Sequence, residues 1–219
     1  MHSFCVNDLS AFYLDVLKDR LYCSLSDSLE RRSAQSTLWE ILEVMVRLMA
    51  PVFSFTAEDI WQHLPFLEGR KESVFLTTFP KVKTHYQDEV LEKRWERLLL
   101  VRNDVLKALE IARRKKIIGH SLDAEVSIVA PKGYKQLLKD YLSELPTIFI
   151  VSQVRLEKEL ETFDLESEEI KGLKIAVNAC NYLKCERCWQ RQESVGKDKK
   201  YPQLCSRCIK VIKTLRHEF

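Results

Sequence analysis

The stretch Cys185-Glu186-Arg187-Cys188-Trp189, followed by Cys205-Ser206-Arg207-Cys208, places two Cys-x-x-Cys pairs near the end of this 219-residue chain. Sixteen residues lie between the two pairs. This spacing is typical of a zinc site, because a short turn directs two sulfurs at one centre and the loop returns the second pair. Four thiolates complete a tetrahedron and leave no open position. The sequence therefore predicts one structural Zn²⁺ held by Cys185, Cys188, Cys205 and Cys208.

Disulfide bonds and a redox Cys-x-x-Cys are the two other uses of these cysteines. Residues 1–15 contain no basic start followed by an apolar run, so we expect no secretory signal and a cytoplasmic protein. A reducing compartment disfavours disulfides, and four cysteines exceed what a redox pair needs. Cys5, Cys23 and Cys180 have no partner spacing and are expected to be small buried or half-buried side chains.

The composition favours a folded, mostly helical chain. Hydrophobic residues make up 46% and charged residues 31%, with only 5 Gly and 6 Pro. The longest apolar runs, such as 148–151, are too short to cross a membrane, so we expect no membrane association.

Positive charge is concentrated at the C-terminal end. The whole chain has a net charge of +3, but residues 182–219 carry ten Lys and Arg against four acids. Local basic charge is the electrostatic signature of a phosphate-binding surface. A solvated surface that keeps the protein dissolved is the alternative.

Apolar residues recur at helical spacing through the first part of the chain. Arg102 falls on the apolar stripe of the longest predicted helix, and we favour an ion pair inside the bundle over a nucleic-acid contact for it. Four helices are predicted in this part of the chain. The first is capped by Asn7 or Asp8, and the second covers about residues 35–50. The third is short and begins with a capping box at Thr56–Asp59, and the fourth covers about 88–116, with Gly119 as its stop signal.

The pattern changes after Gly119. Residues 124–129 alternate with period two and predict a strand, and 74–76, 147–156 and 174–177 also have extended character. Helices are predicted over 134–145 and 209–218. We therefore expect a mainly α protein in three parts: a helical bundle over 1–118, a small α+β domain over 119–179, and a zinc knuckle with a closing helix over 180–219.

The sequence contains no recognisable catalytic constellation. It has no Gly-rich phosphate loop and no Gly-x-Ser-x-Gly elbow, and its 5 His are far apart. The prediction is a binding portion with no catalytic residues.

Several runs resemble bacterial isoleucyl-tRNA synthetases, which are class I aminoacyl-tRNA synthetases. They are Val101–Arg113, Lys116–Ala124, Asp8–Asp15 with Lys18–Tyr22, and Met49–Pro51 with Ser54–Glu58, together with the knuckle and its Trp189. The resemblance implies the class I anticodon-binding helical bundle and a C-terminal portion of a longer enzyme. The family's His-Ile-Gly-His and Lys-Met-Ser-Lys-Ser motifs are missing, so ATP binding, isoleucine activation and editing would belong to the catalytic and editing domains outside this sequence.

The resemblance also implies a partner and contact residues. The bundle would lie along the anticodon stem of tRNA-Ile and the knuckle would reach the anticodon loop. Arg187 and Trp189 would then contact unpaired bases, which can stack on flat side chains. Phosphate contacts would come from Arg191, Lys199, Lys200 and Arg207. We expect a monomer that joins the catalytic and editing domains in one chain.

Two other functions are compatible with a four-Cys finger. A similar finger ends DNA-repair glycosylases of the formamidopyrimidine type, but the Pro-Glu start of that family is missing here and a helical bundle precedes the finger. The other is a zinc-stabilised structural interaction domain without nucleic-acid binding.

Overall fold

The computed structural model describes residues 1–65 and 68–217, which divide into two compact units. One unit consists of residues 26–88, and the other of the described residues on either side of that range. In chain order the elements are a π-helix Phe4–Leu14, α1 Asp15–Cys23, α2 Leu29–Met49, α3 Ser54–His63, 3-10 turns Val74–Leu76 and Thr84–Tyr86, α4 Glu89–Arg114, a 3-10 turn Ser121–Asp123, β1 Ala124–Val129, α5 Lys132–Asp140, α6 Leu145–Phe149, β2 Gln153–Glu157, β3 Leu165–Glu166, β4 Lys174–Ala179 and α7 Ser206–His217.

The fold is mainly α with one small sheet, as the sequence predicts. The strand order is β2-β1-β4-β3, with β1 parallel to β2 and antiparallel to β4. α5 and α6 make the crossover between the parallel pair β1 and β2. β4 leads directly into the segment that contains the cysteine pairs, so the sheet is the support for that segment.

The core of the larger unit lies between α4 and the sheet. Leu98, Val105 and Leu109 on α4 and Val126 and Ile175 on the sheet are fully or almost fully buried in one cluster. This burial explains the stability of a 26-residue helix whose other face is charged.

The smaller unit has a separate core. Val46 of α2, Ala57 and Trp61 of α3, and Val74 are buried together. The Oγ of Ser28 accepts the backbone N–H of Arg31 at 3.4 Å and caps α2. α2 therefore begins six residues before the predicted start at about residue 35.

Two predicted helix caps are wrong. The first helical segment begins at Phe4, and Asn7 donates from Nδ2 to Ser3 Oγ at 3.1 Å and so caps nothing. α3 begins at Ser54 without a side-chain cap. In place of the predicted capping box, the Glu58 carboxylate accepts the Val74 backbone N–H at 3.0 Å and so ties α3 to the following turn.

α4 ends at Arg114, two residues before the predicted end at about residue 116, and the residue that stops it is Lys116 rather than Gly119. Lys116 takes the left-handed conformation, with φ 60°. The Ile117 N–H donates to Ala112 O at 2.9 Å and the Lys116 N–H to Arg113 O at 3.0 Å. This is the Schellman pattern, in which two bonds satisfy the last carbonyls of the helix.

The sequence pattern located β1 and α4 well and some shorter elements poorly. Residues 74–76 form a 3-10 turn and no strand. The helix predicted over 134–145 is replaced by α5 and α6, and α6 occupies the start of the range predicted as β-rich. β3 was missed, because it is two residues long.

Arg102 makes hydrogen bonds to carbonyls, so the ion-pair prediction is wrong. Its side chain is 7% exposed. Nε donates to Ile148 O at 3.1 Å, Nη2 donates to Ala11 O at 3.3 Å, and the guanidinium lies 5.0 Å from the centre of the Phe12 ring. Two carbonyls and an aromatic face therefore stabilise the charge.

Across the described residues, no helix combines the length and apolar character that a membrane span requires.

Candidate zinc centre and nucleic-acid interface

The four predicted ligands meet at one point. The Sγ atoms of Cys185, Cys188, Cys205 and Cys208 all lie within 4.8 Å of one another, and all four residues are buried. The two pairs thus form one cluster, as their spacing predicts.

Backbone hydrogen bonds shape the two turns that carry the sulfurs. In the first turn the Trp189 N–H donates to Cys185 O at 2.8 Å, and the Cys185 N–H donates to Gln190 O at 2.9 Å. In the second, the Ile209 N–H donates to Cys205 O at 3.0 Å as α7 begins. The chain therefore builds a tight turn around the first pair and a helix start around the second.

The cluster fits a zinc ion in both donor chemistry and distance. Two sulfurs about 2.3 Å from a tetrahedral centre lie about 3.8 Å apart, and Cys188 Sγ and Cys205 Sγ are 3.8 Å apart. The Cys205 N–H points at Cys185 Sγ at 3.3 Å, a contact that favours a thiolate. Cys188 and Cys205 share a hydrogen bond. This bond raises the pKa of Cys188, which keeps its proton as the donor, and lowers the pKa of Cys205, which accepts as the thiolate. The site fits one structural Zn²⁺, with every position taken by protein sulfur.

A small apolar cluster surrounds the sulfurs. It contains Val195 and Leu204 from the loop between the pairs and Cys23 from the end of α1. Cys23 is far away in sequence and has no partner spacing with the other cysteines, so only the fold brings it here. We call residues 184–209 the zinc knuckle from here on.

Arg191 anchors the zinc knuckle to the sheet. Its Nε donates to Asp123 Oδ1 at 2.9 Å, and its backbone N–H donates to Ser152 Oγ at 2.6 Å. Burial alone would raise the pKa of Asp123, but hydrogen bonds from Arg191 and from the His120 N–H lower it overall. The side chain predicted to touch phosphate is thus paired inside the protein.

Arg187 and Arg207 also have protein partners, both in α1. Arg187 Nη1 donates to Cys23 O at 2.6 Å. Arg207 forms a two-point ion pair with Asp19, with Nη2 2.6 Å from Oδ1. This ion pair raises the pKa of Arg207.

Trp189 is presented to solvent by an unusual backbone conformation. Its φ is +63°, in the left-handed region that residues of this size rarely adopt, and the residue is 57% exposed. Lys184 Nζ lies 5.4 Å from the ring centre. Lys184 was missed as a site residue, although its place beside Cys185 in a basic segment was a signal.

Lys199 and Lys200 are both exposed on the loop between the cysteine pairs. The Lys200 backbone N–H donates to Asp198 Oδ1 at 2.9 Å, and its ammonium lies 5.7 Å from the Tyr201 ring centre. The predicted RNA contacts therefore fall into two groups: an exposed tryptophan with exposed lysines, and three arginines engaged by protein atoms. RNA contact by any of them stays a prediction.

Comparison with curated proteins finds isoleucine–tRNA ligases. The chain is 49% identical over 213 residues to that of Syntrophotalea carbinolica and 47% identical over 213 residues to that of Geobacter sulfurreducens, in each case across 97% of this chain. It is 45% identical over 223 residues to that of Carboxydothermus hydrogenoformans, across 99% of this chain. In all three cases it spans only 23% of the relative's length.

Two family models match different parts of the chain. Residues 183–211 match a zinc finger found in FPG and IleRS, which agrees with the sulfur cluster. Residues 1–128 match the anticodon-binding domain of tRNA ligase. Because the second match covers more than half of the residues, the chain belongs to the family of anticodon-binding domains of tRNA ligases.

Proposed function

We propose that this chain is the C-terminal, tRNA-binding portion of an isoleucine–tRNA ligase. The observation that carries the proposal is one chain in which an anticodon-binding domain is followed by a zinc knuckle with an exposed tryptophan. The longer enzyme would attach isoleucine to tRNA-Ile with ATP. We propose that this enzyme also contains the catalytic and editing domains, with which this chain would be continuous. The enzyme would be a cytoplasmic monomer, and this portion alone would be inactive.

The chemistry of the anticodon arm suggests which part of the chain contacts the stem and which contacts the loop. A stem presents phosphates along a regular helix, whereas loop bases are unpaired and can be splayed onto flat side chains. We retain the three-part division at 118–119 and 179–180 as a proposal, with residues 1–118 along the stem and 180–219 at the loop.

Zinc has a structural role in this proposal, with Cys185, Cys188, Cys205 and Cys208 as its ligands. A bound ion supplies folding free energy to a module that is too small for a core of its own. The cysteine turns then hold Trp189 rigidly on the outside of the knuckle.

Trp189 is the strongest candidate for base stacking. A non-glycine residue in the left-handed region costs about 1–2 kcal/mol, and a tryptophan that remains 57% exposed recovers little of this through packing. Backbone strain retained at an exposed aromatic residue supports a function at that position. Stacking on a loop base, as the resemblance to the family implies, would be that function.

Three exposed lysines of the zinc knuckle supply positive charge for contact with RNA phosphates. Lys184, Lys199 and Lys200 present ammonium groups on the surface of the zinc knuckle, and such groups add affinity without sequence information. For Arg187, Arg191 and Arg207, RNA contact stays a prediction, and their protein partners favour a role in holding the knuckle.

A DNA-repair glycosylase is the other candidate from the finger alone, because the matching zinc-finger model is found in both protein types. The match of residues 1–128 to a tRNA ligase domain favours the tRNA reading.

The test is binding of the zinc-loaded chain to tRNA-Ile and to a non-cognate tRNA at two salt concentrations, with and without a zinc chelator. Preference for tRNA-Ile that disappears on chelation supports anticodon reading by the knuckle. Equal binding to both tRNAs with a steep salt dependence would leave only phosphate contacts and contradict that reading. Binding to neither would refute the proposal.

A further inference from the structure

The zinc knuckle makes a second set of contacts that joins it to the end of α1. Arg207 donates hydrogen bonds from Nη1 and Nη2 to the two carboxylate oxygens of Asp19. Arg187 Nη1 donates to Cys23 O at 2.6 Å and Nη2 donates to Tyr22 O at 3.4 Å. More than 160 residues of sequence separate the partners, so these contacts exist only in the folded chain.

These contacts suit the end of a helix. The last carbonyls of a helix have no partner within it, and the dipole there attracts cations. α1 ends at Cys23, and Ser24 is extended. Arg187 supplies donors to two of these carbonyls, and the same Nη1 lies 3.7 Å from Cys208 Sγ. One guanidinium therefore contacts both the helix end and a proposed zinc ligand.

The anchor on α1 is independent of the anchor on the sheet. The sheet anchor consists of Arg191 with Asp123 and Ser152. A module held at one place can still rotate about that place, whereas contacts with two different elements set its angle. A binding residue must be held within about 0.5 Å and 10–20° of its productive geometry. The contacts that fix the angle of the zinc knuckle therefore also fix the position of any binding residue on it.

We propose that Asp19 is a positioning residue for RNA recognition. By holding Arg207 in a two-point ion pair, it sets the angle at which the zinc knuckle presents Trp189 and Lys184 to the anticodon loop. This inference rests on the proposed function. The arginine fork suits such a role because its two parallel hydrogen bonds define an orientation, which a lysine ammonium cannot do.

The direction in which RNA affinity changes when Asp19 is removed distinguishes a positioning role from a purely electrostatic one. Asp19 carries a negative charge close to a basic, RNA-facing module, so its removal should tighten RNA binding if only charge matters. Removal would also release Arg207 to bind a phosphate. A positioning role predicts the opposite, weaker binding, because the knuckle loses the two-point ion pair with α1 and keeps only the Arg187 contacts there.

The experiment measures the affinity of the zinc-loaded chain for the anticodon stem-loop of tRNA-Ile, together with zinc content. The variants are Asp19→Ala, Arg207→Ala, the double variant and Asp19→Glu. Asp140→Ala is the matched control, because Asp140 is also a carboxylate paired with an arginine, Arg94, at 3.3 Å. All variants should keep one zinc per chain.

We expect Asp19→Ala and Arg207→Ala each to weaken binding by about three- to tenfold, with the double variant no weaker than either, since coupled partners are non-additive. Asp19→Glu should recover most of the loss, and Asp140→Ala should bind as tightly as the unaltered chain or slightly more so.

Three results would overturn the positioning role: unchanged or tighter binding by Asp19→Ala, additive losses in the double variant, or loss of zinc from Asp19→Ala, which would mean that the pair holds the metal site. Each of these leaves the proposed function intact if the unaltered chain binds in a zinc-dependent manner. Absence of binding by the unaltered chain would refute the proposed function itself, and the positioning role with it.

Discussion

Arg102 Nε donates a 3.1 Å hydrogen bond to the carbonyl oxygen of Ile148 and thereby joins α4 to α6 inside the core. The same guanidinium contacts Ala11 O and the Phe12 ring. One buried cation thus ties three parts of the larger unit together, although no carboxylate of the described residues lies within ion-pair distance of it and Asp15 acts on it only through the longer-range electrostatic field.

Arg102→Ala should lower the free energy of unfolding by about 2–3 kcal/mol, because it leaves a buried carbonyl unpaired and opens a cavity. Urea denaturation measures this loss. Arg94→Ala, on the exposed side of the same helix, should change stability by less than about 0.5 kcal/mol. A stable Arg102→Ala variant with weakened RNA binding would instead support the nucleic-acid contact considered for this residue.

Trp189→Gly should change stability and affinity in opposite directions. Glycine removes the cost of the left-handed conformation, so unfolding should require about 0.5–1 kcal/mol more, after loss of the Lys184 contact. Affinity for the anticodon stem-loop should fall about tenfold with the loss of a stacking surface. Calorimetry and fluorescence anisotropy measure the two effects.

Phe163→Ala is the control for Trp189, because Phe163 is also exposed and lies 4.7 Å from a lysine ammonium, that of Lys174. It should leave RNA affinity unchanged. A Trp189→Gly variant that binds RNA normally would remove the stacking role.

Lys116→Gly should stabilise the chain by about 0.5–1 kcal/mol, because its φ of 60° suits glycine and the Schellman bonds use only backbone atoms. Arg114→Gly, two residues earlier at the last helical position, should destabilise by about 1 kcal/mol. Thermal unfolding of the two variants tests whether α4 ends at Arg114 with Lys116 as the left-handed residue that follows it. Destabilisation by both would contradict that boundary.

The pair Asp123 and Arg191 should contribute about 1 kcal/mol to stability at neutral pH, because both side chains are partly shielded from water. The folded-state pKa of Asp123 lies below the ordinary value of 3.8. The contribution is therefore present above about pH 3.8 and is lost as pH falls through the lower folded-state pKa. In zinc-saturated buffer, Asp123→Asn should be equally destabilising at pH 7 and pH 5. A penalty that is already lost at pH 5 would contradict the lowered pKa.

Cys205→Ser should abolish zinc binding and unfold the zinc knuckle, because three thiolates cannot close the site and zinc supplies the folding free energy. Metal analysis and amide NMR spectra report the two effects. Cys180→Ala removes another buried cysteine and should retain one zinc per chain. Native-like knuckle resonances in Cys205→Ser would show that the fold does not need the metal.

Features with local causes were predictable. β1 was located to the residue because its alternation reflects one face packed on the core, with Ala124, Val126 and Ile128 buried. α4 was located to within two residues because its apolar stripe is long. Failures came where distant atoms compete for the same groups. Thr56 and Asp59 have the spacing of a capping box, yet α3 begins at Ser54, and the neighbouring Glu58 carboxylate accepts the backbone N–H of Val74.

The sequence by itself determined the zinc ligand set, the mainly α fold and the strand that supports the knuckle, because spacing and periodicity act over a few residues and survive in any tertiary context. Only the tertiary structure decided what the arginines do. Arg187, Arg191 and Arg207 look alike in sequence as cations available for RNA, and Arg102 looks like a cation in need of a carboxylate. Their partners, Ile148, Cys23, Asp123 and Asp19, lie 46 to 188 residues away. A guanidinium has five donors, and burying them unpaired costs free energy, so the carbonyls and carboxylates that the fold brings within reach became the protein partners of these side chains.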